Sequence, residues 1–133
     1  MTTHIFASLL IVHLIGDFIL QDERWARTKW NDSTVLLKHV GMYTLCWVMY
    51  FTFGNRMLIT GNLYIIVGVL KFLFTTYILH FLTDYITSKI THQQSLNKNW
   101  GTQISNLGFF TTIGIDQTLH YLQLVYSYEI FLT

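Results

Sequence analysis

Four long blocks of mostly apolar residues set what this chain can become. They run from Thr3 to Leu20, from about Thr34 to Phe53, from about Asn62 to Ile90, and from about Asn106 to Val125 or beyond. Each is close to the ~20 residues that a helix needs to cross ~30 Å of hydrocarbon. The blocks are too long for strands and lack strict alternation. Backbone groups in lipid must also be paired within their own segment, which favours helices. The pattern predicts an all-α, integral membrane four-helix bundle, a single domain over residues 1–133 with helices near 3–20, 34–53, 62–90 and 106–128. The absence of proline and a charged fraction of only 11% agree with this, since soluble domains carry about 25%. No Lys or Arg precedes the first block, which itself holds His13 and Asp17, so a cleavable signal peptide is not expected.

The polar connections differ in charge. The first, "QDERWARTKWNDS", holds Arg24, Arg27 and Lys29, with Lys38 just beyond. The third, "THQQSLNKNWGTQIS", holds Lys98 and is flanked by Lys89, whereas the second holds only Arg56. The positive-inside rule then places the first and third connections in the cytoplasm and both termini outside, in a bacterial inner membrane. Trp25, Trp30 and Trp100 fit interfacial positions, and Lys71 fits a snorkelling residue or a contact in a homo-oligomer. His4 and His92, near block boundaries, are expected to be solvated. The lone Cys46 reads as a buried small hydrophobe without a redox or metal role. A net charge of +1 leaves no basic stripe for nucleic acid, so the bilayer is the expected large partner.

Against this apolar background three His/Asp pairs stand out: His13 with Asp17, His80 with Asp84, and Asp116 with His120 in reversed order. A spacing of four puts both members on one helical face, one turn apart. Antiparallel helices would bring the pairs and His39 to similar depth, about 8–20 Å inside the cytoplasmic boundary at the helical rise. Three carboxylates buried together need compensation. Counter-cations are not expected at that depth, so a divalent metal is the economical partner. Imidazole and carboxylate suit zinc, with manganese or iron as substitutes. The expected ligands are His13, Asp17, His39, His80, Asp84, Asp116 and His120, more than one tetrahedral ion needs. Two divalent ions would outweigh the carboxylates and leave a slightly positive pocket for an anionic substrate. Gln21 and Gln117 flank the pairs as candidate outer contacts. A proton or ion pathway would use similar residues.

The ordered set "HLIGDFILQ", "LLKHVGMYTL", "HFLTDYITSK" and "IDQTLHYLQL" resembles an uncharacterised family of small membrane proteins from bacteria and phages. More distantly it is similar to the YdjM-type membrane-bound metal-dependent hydrolases, and through them to the all-helical zinc phospholipase C superfamily. That resemblance implies a metal-dependent hydrolase acting on a phosphoester, a lipid or another amphiphile, with one or two zinc ions. Asp17 or Asp84 would act as general base. A cation or proton transporter, and a non-catalytic bundle stapled by metal and acting on a host envelope or defence, are the alternatives.

Overall fold

A computed structural model describes residues 2–101 and 107–133, and every described element is helical. Helix α1 spans Thr3–Leu14 and continues as a π-turn over Ile15–Ile19. A short α2 follows at Glu23–Thr28, then α3 at Ser33–Met49, which ends in a second π-turn at Tyr50–Gly54. A 3₁₀ turn at Met57–Ile59 leads into the 34-residue α4, Leu63–Leu96, and α5 occupies Phe109–Leu132.

Side-chain caps define several starts. The Asp22 carboxylate accepts from Arg24 N at 2.8 Å, Asp32 from Thr34 N at 2.8 Å, and Asn62 from Tyr64 N at 3.0 Å. Each satisfies an amide that the first helical turn leaves without an intrahelical partner. The first polar connection therefore contains a helix. The third block also outruns its expected end at Ile90. Thr87 and Thr91 hydroxyls bond the carbonyls one turn back, and the helix persists until Lys98 turns left-handed at φ 52°. The expected start of the fourth helix at Asn106 lies outside the described residues.

Each long helix buries one stripe at a spacing near four. On α4 it reads Gly68, Phe72, Thr76, His80, Asp84, Ser88; on α5 it reads Thr112, His120, Leu124, Tyr128, with half-buried Asp116 in register. Leu9 precedes His13 on α1, and His39 precedes Trp47 on α3. The four stripes alternate in direction, so apolar members meet at one end and polar members at the other. At the apolar end Trp47 and Phe51 pack edge-on against Phe72, with ring centroids 5.4 and 5.1 Å away. Val69, Leu9, Leu124 and Tyr128 complete that layer. Gly68 allows the close crossing there: a Cβ on it would lie 2.4 Å from the Phe131 carbonyl oxygen.

Outward faces are apolar along every long helix, including Ile11 and Leu14 on α1, Leu45 and Met49 on α3, Phe74 and Ile86 on α4, and Leu122 and Ile130 on α5. Among the described residues α4 is the one helix long and apolar enough to cross a membrane, and Thr3–Ile19 forms a shorter apolar helix.

Candidate metal centre

The polar ends of the stripes converge. All three i,i+4 pairs are in contact: His13 Nε2 to Asp17 Oδ2 at 3.7 Å, His80 Nε2 to Asp84 Oδ2 at 3.7 Å, and His120 Nε2 to Asp116 Oδ1 at 3.5 Å. His39 joins them from α3. All four histidines, Asp17 and Asp84 are buried, while Asp116 is half-buried. Asp17 lies in the π-turn that ends α1, a distortion frequent at functional sites.

Asp17, His39, His80 and Asp84 each offer a ligand atom, all within 4.8 Å of one another. Five interatomic distances describe the group. His39 Nε2 is 3.1 Å from Asp17 Oδ1, 3.2 Å from Asp84 Oδ2 and 3.3 Å from His80 Nε2. His80 Nε2 is 3.5 Å from Asp17 Oδ1 and 3.7 Å from Asp84 Oδ2. Bonds of about 2.0–2.2 Å to a tetrahedral zinc place ligand atoms about 3.3–3.6 Å apart. The donor set and its spacing therefore fit a divalent ion. A second group, Asp17, Asp116 and His120, meets the same 4.8 Å limit and shares Asp17 with the first.

His13 stands in the cluster but in neither group. The Gln117 oxygen can only accept, so His13 Nε2 donates to it at 2.8 Å. His13 Nδ1 then accepts from the Tyr43 hydroxyl at 2.9 Å. Both His13 nitrogens are thus engaged in hydrogen bonds. The Gln117 amide in turn donates to Asp17 Oδ2 and Asp116 Oδ2, each at 3.0 Å. The His80 ring is sandwiched between Tyr43 at 3.9 Å and His120 at 4.1 Å, which fixes its orientation although its Nδ1 is buried without a partner. Gln21 touches no ligand; it lines the cavity above the cluster with its Oε1 unpartnered.

One expectation fails outright. A counter-cation does reach this depth: Lys29, just after α2, places Nζ 2.7 Å from Asp84 Oδ2, with its side chain only 15% exposed. Burial opposes its charge, but Asp84 and Asp17 outweigh burial and raise its pKa. The short α2 folds the first connection back over the bundle and delivers this residue. His92, expected in solvent, instead stacks on Trp30 with ring centroids 3.7 Å apart, and both are half-buried. Cys46 is half-buried and forms no disulfide.

A cavity of about 370 Å³ reaches the cluster from the polar end. Asp17, Asp84, Asp116 and Lys29 line its polar part, Phe18, Phe109 and Ile113 its apolar part, and Trp30 and His92 its rim. On the opposite side Tyr43, Trp47, Phe51 and Phe72 are fully buried and leave the cluster no second approach among the described residues. Tyr43, Lys29, Thr87 and Ser88 were not singled out by sequence. Tyr43 was within reach, one turn after His39 on the same face, and Ser88 one turn after Asp84. Thr87, whose hydroxyl bonds Asp116 Oδ1, lies three residues after Asp84. Lys29 carried no such signal.

Residues 5–133 match the family described as "Protein of unknown function (DUF3307)", and the chain belongs to it. Searches of curated proteins and of solved structures find no match.

Proposed function

We propose that this DUF3307 member is a membrane-embedded, metal-dependent hydrolase that cleaves a phosphoester at the cytoplasmic face. The observation that carries the reading is the pairing of two ligand groups at the floor of a one-sided cavity, one with four donors and one with three. Four protein donors close a tetrahedral shell, as in structural sites, while three leave a position for water or substrate, as in catalytic ones. Asp17 is common to both groups and would join two ions. Zinc bound there supplies Lewis acidity toward water and phosphoryl oxygens.

The chain's own residues complete the site. Asp17 and Asp84 line the cavity and are the candidates for general base. Gln117 holds Asp17 and Asp116 at a fixed separation, and the His13–Tyr43 bond holds Gln117's partner. Phe18, Phe109 and Ile113 give the cavity an apolar wall suited to an amphiphile. The filled aromatic end supports an enzyme over a conducting path, which would need access from both faces. The four-donor group alone would suit a metal-stapled bundle; the three-donor group favours catalysis.

The apolar outer faces and the buried polar interior support a bilayer setting, with the cavity end and its cationic connections inside the cell. Cysteines at the exposed Asn31 and Asn97, in a Cys46→Ser background, should resist an impermeant thiol reagent in intact cells. Strong labelling at both would reverse the topology. For the reaction, zinc-loaded protein is screened against phospholipids, isoprenoid phosphates, nucleotides and generic phosphodiesters. Release of phosphate or alcohol should be abolished in Asp84→Asn; activity that survives this change would belong to a contaminant.

A further inference from the structure

The same Asp84 oxygen faces both Lys29 and the four-donor group. Oδ2 accepts from Lys29 Nζ at 2.7 Å, and it also faces His39 Nε2 at 3.2 Å and His80 Nε2 at 3.7 Å, where the four-donor group would hold its ion. An ammonium and a divalent ion on one oxygen would sit about 4 Å apart and repel strongly in a low-dielectric site. The lysine stem is flexible and its head is a mobile point charge. The free space beside it is the cavity that Lys29 already lines. Two further polar groups there have no partner: the Ser88 hydroxyl and the Gln21 side-chain oxygen, whose amide presents N–H groups when turned over.

We propose that Lys29 is an exchangeable counter-ion, holding Asp84 in the metal-free protein and, once metal takes that carboxylate, turning into the cavity to bind a phosphate group together with Ser88 and Gln21. This rests on the metal reading above and adds the residues that recognise the anion. Buried Asp17 and Asp84, with half-buried Asp116, thus keep a cation in either state, and the anion site forms only when the metal site is filled. The recognised chemistry is a phosphate monoanion or dianion, carried by a soluble ester or by a lipid headgroup.

The test is calorimetric titration of detergent-solubilised protein with zinc, then of the zinc-loaded protein with inorganic phosphate. Lys29→Met should bind zinc more tightly than the wild type, because the internal competitor is gone. It should bind phosphate about ten-fold or more weakly, the typical loss for a charge-assisted hydrogen bond. Lys29→Arg should retain phosphate binding. In the wild type, acylation of Lys29 by a small water-soluble reagent should rise on zinc loading and fall again with phosphate, a readout that needs no variant to fold. In phosphatidylcholine nanodiscs, phosphatidic acid that displaces phosphate would identify the lipid source, and indifference to it the soluble one. Phosphate affinity unchanged in Lys29→Met, or Lys29 acylation unaltered by zinc, would overturn this inference while leaving the metal reading intact. No zinc uptake by the wild type would overturn both.

Discussion

The two ends of the bundle use the same helices for opposite purposes. On α4 one stripe passes from Gly68 and Phe72 through Thr76 to His80, Asp84 and Ser88. On α5 the sequence runs the other way, from Thr112 and Asp116 through His120 to Leu124 and Tyr128. The backbone geometry does not change along these stripes, but the side chains do. At the apolar end, rings and branched chains fill the interior and shape complementarity holds the helices. At the polar end, ion pairs and hydrogen bonds hold them, and a cavity of about 370 Å³ remains. Tyr43 joins the two, its ring stacked on His80 and its hydroxyl on His13, while its other side meets Trp47. The comparison teaches that an apolar plug lets a costly polar cluster persist beside it: the plug supplies rigidity, and the cluster is free to be shaped for chemistry.

Substitutions should separate the two ends. The largest effect is expected for His80→Ala, which removes a proposed ligand and leaves Asp17 and Asp84 short of a partner. Breaking such a buried charge set costs about 3–5 kcal/mol, and metal content measured by mass spectrometry should fall with it. Trp47→Ala should cost a similar or slightly smaller ~3–5 kcal/mol in detergent unfolding, through the cavity it opens, yet the protein that remains folded should keep its full metal content. Loss of metal in Trp47→Ala would break the division between the ends. Gly68→Ala forces a Cβ against the Phe131 carbonyl oxygen; overpacking of this kind costs about 1–3 kcal/mol, again with metal retained. Thr87→Val, which removes the hydroxyl on Asp116, should cost only about 1 kcal/mol, but should weaken binding of the second metal equivalent more than the first.

Much of this was legible in the sequence for a physical reason. A spacing of four on a helix is a local property, so the pairs His13/Asp17, His80/Asp84 and Asp116/His120 could be read as facing one way without knowing the fold. Burial of charge in apolar segments requires partners, which made their convergence an expectation. The departures come from features that are not local. Lys29 reaches Asp84 across 55 positions because α2 folds back. That short helix is announced only by Asp22 and the helix-forming residues after it, and its direction is not announced at all. The hydrogen bonds that engage both nitrogens of His13 depend on Tyr43 and Gln117 arriving from two other helices. The π-turn at Ile15–Ile19 carries no local signal either, and the part of α4 beyond Ile90 brings His92 onto Trp30, a contact between residues far apart in the chain.

The central claim is that the polar end is a metal centre, and metal content with thermal melting of the purified wild-type protein tests it most directly. The account predicts about one to two divalent ions per chain, and a melting temperature that drops on chelation and recovers when zinc is restored. Protein free of metal, with melting indifferent to both chelator and zinc, would contradict it.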